Sequence, residues 1–272
     1  MSYRRYLLII IKGICIGIIF TSASCFSKEF KLYHWLLFKN TPDLDPYGIT
    51  SIHLIGGDLW IKGKNLNSKK VADHICSVAS AAQKKNRITV LDVEHWPLTG
   101  TDAVVRDTRQ KLLTLLGIFR KCAPSLKIGY YGVPPVRDYW RAMKGKQSPA
   151  YRKWQADNDK YQELANRVDI LFPSLYAFYE DRNGWLKYAE ANIKEARRLA
   201  KGKPIYVFLW PQFHESNAKM KGKFIPGYYW RLQLETAKRL ADGAVLWGGW
   251  QTKWVESADW WRVTKEFLGK RH

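Results

Sequence analysis

The stretch Thr89-Val90-Leu91-Asp92-Val93-Glu94-His95-Trp96-Pro97 decides how this chain is read. With Ile88 before it, it opens as a short apolar run and is closed by a proline, the pattern of a buried strand. Asp92 and Glu94 stand two residues apart, so on a strand both side chains leave the same face. Carboxylates at the end of an otherwise apolar strand belong at the C-terminal rim of a parallel sheet, where barrel folds keep their chemistry. Two carboxylates at short range disfavour double ionisation, and the member that keeps its proton can donate it to a leaving oxygen. The spacing by itself fits equally well an aspartate that caps a loop and a glutamate solvated at a strand end.

Working outward, six further segments read as strands: Phe30 to Phe38, Ser51 to Ile55, Lys127 to Gly132, Val168 to Leu175, Pro204 to Leu209 and Gly243 to Trp247, with Ile88 to Val93 third in the series. Amphipathic stretches of helical period lie between them. Val71, Ile75, Val78 and Ala82 share a face, as do Val105, Thr108, Leu112, Leu115 and Phe119 behind the capping pair Thr101 and Asp102. Leu186, Ala189, Ile193, Ala196 and Ala200 form another stripe, and Leu234, Ala237 and Ala241 a fourth, stopped by Asp242-Gly243; a last helix is expected from Ala258 to Leu268. Strands alternating with helices predict an α/β fold, a TIM-like (β/α) barrel with seven to eight parallel strands. An open doubly wound sheet would carry a glycine-rich phosphate loop after its first strand, and the sequence has none.

Residues 1 to 25 place Arg4 and Arg5 before an apolar run from Leu7 to Phe20, which the small residues Thr21 to Ser24 close; this reads as a secretory signal peptide. Residues 26 to 272 are then a single barrel domain. Cys25 stands where a lipidated first residue would anchor the protein to a membrane, and soluble export is the equal alternative. Of the other cysteines, Cys76 and Cys122 fall in the body of the chain, without a CxxC partner or a histidine at ligand spacing. Buried structural thiols are expected there, with a single disulfide left open, and neither a metal nor a cofactor is implied.

Forty-five lysines and arginines against 24 acids give a formal charge of +21. Such an excess favours anionic partners. Nucleic acid is not expected, because the chain reads as exported and shows no zinc-finger, RNP or helix-turn-helix pattern. An acidic polysaccharide fits better, alongside the plain alternative of a solvated basic surface. Lys219, Lys221 and Lys223 were natural candidates to grip uronate carboxylates, or else a solvated loop.

At this point the chain resembles a known family, the hyaluronidases among the glycoside hydrolases. Ile88 to Pro97 resembles that family's strand of Asp-x-Glu followed by an aromatic residue and proline. Ile128-Gly129-Tyr130-Tyr131-Gly132-Val133-Pro134 is similar to its Gly-aromatic-Tyr-x-x-Pro strand, Asn158-Asp159 to its Asn-Asp helix, and Asp169 to Tyr176 to its Pro-Ser-x-Tyr strand end. Ala244 to Gly248 resembles the last barrel strand, with Trp247 in the sugar pocket. The resemblance implies that Glu94 is the general acid and Asp92 orients the substrate amide, with Tyr131, Tyr176 and Trp247 contacting sugar. The mechanism it implies is substrate-assisted retention on an N-acetylhexosamine polymer, with no metal or cofactor. Trp96, Trp210 and Trp250 join the substrate-binding candidates as flat apolar faces at strand ends; Trp260 and Trp261 are assigned to packing. The family's arginine between tryptophan and proline has no counterpart, since Pro97 follows Trp96 directly, and residues 133 to 140 lack its cysteines. The Asp-x-Glu pattern is shared with chitinases and some muramidases, and a carbohydrate-binding barrel without turnover is the alternative from another class.

Overall fold

A computed structural model describes residues 29–56, 65–250 and 252–269. The expected signal segment, including Cys25, lies outside the described residues. Seven strands run in chain order: β1 Lys31–Leu36, β2 Ile49–Ser51, β3 His53–Gly56, β4 Thr89–Asp92, β5 Ile128–Tyr130, β6 Tyr206–Leu209 and β7 Gly243–Gly248. They form two parallel groups, β2-β1-β7-β6 and β3-β4-β5.

Two irregular joints close these groups into a barrel. On one side β2 and β3 are a single stave interrupted at Ile52, whose first half pairs with β1 and second half with β4; the Ile52 amide donates to the His34 carbonyl at 3.0 Å and the His53 amide to that of Ile88 at 2.8 Å. On the other side residues 171 to 174 bridge β5 and β6, through the pairs Tyr131 with Phe172, Leu171 with Ile205 and Ser174 with Phe208. The sequence predicts a regular strand from Val168 to Leu175, and here the structure differs. Pro173 has no amide hydrogen to give to a ladder, so the segment pairs by isolated bridges instead of a continuous strand. Among the described residues the barrel therefore has seven staves, at the lower end of the expected number.

Helices pack outside: α1 Lys69–Lys84, α2 Asp102–Cys122, α3 Tyr139–Met143, α4 Pro149–Asp159, α5 Gln162–Arg167, α6 Arg182–Ala200, α7 Gly227–Leu240 and α8 Asp259–Phe267. The Ser68, Thr101 and Asp181 side chains cap α1, α2 and α6, each accepting from the amide three residues on. The stripes read from the sequence are the buried faces, with Leu112, Leu115, Phe119, Ile193 and Leu234 fully enclosed. Trp260 and Trp261 pack in the core as expected, 1% and 0% exposed. The periodicity did not reveal helices α3 to α5; Asp138 caps α3 and Ser148-Pro149 opens α4, so local capping chemistry marks these two, while α5 has no side-chain cap.

Cys76 on α1 and Cys122 at the end of α2 form a disulfide with Cα atoms 5.2 Å apart, the pairing that the sequence left open. The two helices pack side by side, and that contact brings together positions 46 residues apart.

Candidate active site

On β4 the period of two divides the strand between two environments. Val90 belongs to the cluster that fills the barrel interior, with Ile52, Phe172, Phe208 and Val245, whereas Leu91 and Val93 join the outer core beneath the helices. Asp92 shares the inward phase of Val90 and ends the strand; Glu94, two residues on, is exposed at the mouth.

Two cavities meet at Glu94 and Tyr131, which line both. The narrow one, of about 130 Å³, is walled by Asp92, Tyr176, Trp210 and Trp247, with Leu54 and Phe208 below and His214 and Glu215 at the side. The wider one, of about 330 Å³, runs past Trp96 towards Arg137, Asp138 and Arg141. Of the residues singled out from sequence, Asp92, Glu94, Tyr131, Tyr176, Trp210 and Trp247 thus come together around the narrow cavity. Trp96 stands in the wider cleft instead, with the Lys111 ammonium 5.9 Å from its ring centre. Trp250 is 64% exposed and lines neither. Lys219, Lys221 and Lys223 also line neither; they ride on an ordered hairpin pinned by the pairing of Gln212 with Phe224, not on an open loop.

The aromatic wall is interlocked. Tyr176 lies nearly parallel to Trp247 at 5.6 Å between ring centres and edge-on to Trp210 at 5.4 Å, while Trp210 meets Trp247 edge-on at 4.7 Å. The Trp210 indole nitrogen donates to Gln212 Oε1 at 3.1 Å, and the Gln212 amide donates in turn to the Gly222 carbonyl. Gly248 allows the close approach: a Cβ there would sit 2.4 Å from the Trp210 ring, at a φ of +134°. Tyr131 is held by Ser174, their hydroxyl oxygens 2.9 Å apart, and the Ser174 carbonyl accepts from Tyr188.

The loop carrying Arg137 is also pinned. Asn158, fully buried on α4, accepts the Val136 amide at 2.7 Å, and Trp154 donates to the Val136 carbonyl at 2.9 Å. The Asn158-Asp159 pair noted in the sequence therefore acts from beneath the site, with Asp159 in an ion pair to Arg198. Arg141 is committed to Asp138 and Asp157, each at 2.6 Å. Arg137 lies 5.3 Å from the Phe178 ring centre, and among the described residues no carboxylate reaches within 4 Å of it.

Burial pushes the Tyr131 and Tyr176 hydroxyls well above the usual phenol range; Glu94 adds to this at both, Asp92 at Tyr176 as well, while Arg137 opposes it at Tyr131. Both tyrosines are neutral hydrogen-bonding groups at any physiological pH. Burial, with the Arg137 charge behind it, lowers His214 below the ordinary imidazole value, leaving it neutral too. Sequence reasoning missed His214, Glu215 and Arg137, which sit on loops past strand ends with no periodic signal, and Arg141, on the single short turn of α3; Arg137 was legible only as a cation three residues beyond the Val133-Pro134 turn. Among the described residues no three His, Cys, Asp or Glu side chains converge as a cation site.

A closed parallel barrel with its carboxylates and aromatic rings gathered at one rim defines the class of fold, a (β/α) barrel with a rim site. Comparison with known proteins then narrows the likeness. In sequence the chain is 26% identical to a hyaluronidase of Polybia paulista over 185 residues, which cover 61% of this chain and 60% of that protein. In structure it is similar to bee venom hyaluronidase in complex with a hyaluronic acid tetramer, with a TM-score of 0.60 at 15% identity over 81% of this chain and 90% of that one. A second crystal form of bee venom hyaluronidase gives 0.59 at 14% identity over 89% and 96%. No family model matches the chain. The hyaluronidase-like resemblance read from the residues and the barrel fold are thus both borne out.

Proposed function

We propose that the protein is a glycoside hydrolase that cleaves N-acetylhexosamine linkages in an anionic polysaccharide, with Glu94 as general acid and base. One observation carries this reading above the others: Glu94 stands at the junction of a narrow aromatic cavity and a wider cleft lined by Arg137 and Arg141, where a bond between a clamped sugar and the departing chain would lie. The sequence likeness to a hyaluronidase supports it.

The sugar that bears the acetamide sits against Tyr176 and Trp247, its N–H facing the Asp92 carboxylate. The acetamide oxygen attacks the anomeric carbon as the protonated Glu94 gives its proton to the glycosidic oxygen, and the leaving chain departs through the wider cleft. The positive charge that spreads onto the amide nitrogen is stabilised by Asp92, in a pocket whose aromatic walls keep the local dielectric low. Water then attacks the same carbon, giving its proton to the Glu94 carboxylate, and the acetamide is restored. Two inversions at one carbon give net retention. Tyr131, fixed by Ser174 between the two cavities, hydrogen-bonds sugar hydroxyls on either side of the bond.

Export is part of the same proposal, since the substrate lies outside the cytoplasm. The Cys76–Cys122 disulfide favours an oxidising compartment, and among the described residues no helix is long and apolar enough to cross a membrane. Anchoring through a lipid on Cys25 remains an alternative to free secretion.

The test is reducing-end release from hyaluronan, chondroitin, chitooligosaccharide and peptidoglycan, with the anomer of the first product followed by proton NMR. Release from at least one polymer with the retained anomer is expected. Silence on all four, or the inverted anomer, would overturn the proposal.

A further inference from the structure

Away from the barrel mouth a second concave surface lies between the turn after α3 and the outer face of α6. It encloses about 330 Å³, and four lysines surround it: Lys144 and Lys146 from the turn, Lys187 and Lys194 from α6. All four are exposed. Between the lysines lie Ala142, Met143, Tyr151 and Ala191, together with Glu190.

Several cations elsewhere on the helical surface are neutralised within their own helix. On α1, α2, α5 and α8 cations are neutralised one turn away, in the pairs Lys69–Asp73, Lys111–Asp107, Arg167–Glu163 and Arg262–Glu266. On α6, Glu190 lies three residues after Lys187 and four before Lys194, the spacing at which it would pair with both. Although it lines the groove, its carboxylate pairs instead with Arg239 on α7, at 2.9 Å. Among the described residues none of the four lysines has a carboxylate within 4 Å. Four like charges around one depression repel each other, and a polyanion laid in it removes that cost.

We infer that this groove is an auxiliary site for the same acidic polysaccharide, taking the chain after it leaves the cleft. The inference rests on the glycosidase reading for the identity of its ligand. Helix α3 supplies the continuity: Arg141 lines the cleft, while the next two residues, Ala142 and Met143, line the groove. A chain crossing that five-residue helix passes from Arg137, which among the described residues has no carboxylate within 4 Å, to the lysines of the turn. A concave groove with Ala142, Met143 and Tyr151 between its lysines suits a sugar chain, whose rings have apolar faces and whose carboxylates point outward; an anionic bilayer would call for a flat or convex face. Lysine point charges on flexible stems suit a ligand whose carboxylates recur along a mobile chain.

The experiment measures binding of high-molecular-mass hyaluronan to the Glu94→Gln protein, so that nothing is cleaved. Two charge-reversed sets are compared on that background: K144E, K146E, K187E and K194E in the groove, and K84E, K85E, K121E and K127E, exposed at the opposite end of the barrel, with the same change in net charge. The groove set is expected to lose at least about tenfold in affinity and much of the salt dependence, the control set less than about threefold. Equal losses, or none in the groove set, would overturn the inference, as would a parent protein that binds phosphatidylglycerol vesicles in preference to hyaluronan. Should the fourfold groove variant fail to fold by circular dichroism, K144E with K146E on the exposed turn carries the same comparison, with a loss of at least about threefold expected. Loss of binding in the groove set beside a wild type that releases no reducing ends would leave the groove standing and remove the glycosidase reading; release with equal binding in both sets would do the reverse.

Discussion

The two cavities that meet at Glu94 are built by opposite means. The narrow one is carried by regular strands: Asp92 ends β4, Trp247 lies on β7, Trp210 follows β6, and each ring is fixed by its neighbours. The wider one is carried by the loop from Val133 to Asp138 and by short helices, held from behind by Asn158 and Trp154. The contrast teaches a division of labour. On the proposed reading, rigid staves suit a sugar ring that has to be held in one pose for chemistry at its anomeric carbon. Pinned loops offer charge and space, which a polymer of variable conformation can use without exact fit.

The contrast can be broken in order of consequence. Asp92→Asn keeps the shape of the narrow cavity and removes the charge that answers the developing cation, so kcat should fall on the order of 10²- to 10³-fold with KM little changed. Trp247→Ala opens the clamp; a loss of about 10- to 100-fold in kcat/KM is expected, along with a lower melting temperature. Gly248→Ala reaches the same wall without touching substrate, because its methyl group meets the Trp210 ring, and should lower stability by about 1–3 kcal/mol in thermal or urea unfolding. On the other side, Arg137→Ala should raise KM for an anionic polymer about 5-fold while leaving kcat and the turnover of neutral chitooligosaccharide unchanged. An equal fall in kcat on both substrates would erase the distinction between the cavities.

Stability carries a smaller signal. Burial lowers His34, His53 and His214; Lys85 and Arg87 reinforce this at His53 and Arg137 at His214, while Asp45 opposes it at His34. Each therefore takes up its proton at lower pH in the fold than in the unfolded chain. Below about pH 6.5 the unfolded chain binds more protons, so stability falls as pH drops through the window down to the folded values. A melting temperature that decreases from pH 7.5 to 5.5, and decreases less in His53→Gln, is the expected result.

The asymmetry also governed what the sequence disclosed. Strands and stripes with strict period were readable, so the staves, the helical faces and, in the narrow cavity, Asp92, Glu94, Tyr131, Tyr176, Trp210 and Trp247 could be named from the sequence. Val168 to Leu175 was readable as a stave but not as a broken one, because the missing Pro173 amide acts through its neighbours' hydrogen bonds and leaves no trace in the apolar pattern. Arg141, His214 and Glu215 were not readable, and Arg137 only as a cation beyond a proline turn. Loop residues reach a site by the path of the backbone, and that path depends on distant anchors such as Asn158. The pairing of Cys76 with Cys122 was similarly hidden, since it follows from how α1 and α2 lie against each other. It closes a loop long enough that its reduction should cost about 4 kcal/mol.

The central claim concerns the residue shared by both cavities. Reducing-end release should be measured for wild type and Glu94→Gln side by side, on whichever N-acetylhexosamine polymer the wild type cleaves, with melting temperature and polymer binding recorded for both. The account predicts a loss of roughly 10²- to 10⁴-fold in kcat with fold and binding intact. A Glu94→Gln protein that still turns over the polymer within a few-fold of wild type would contradict it.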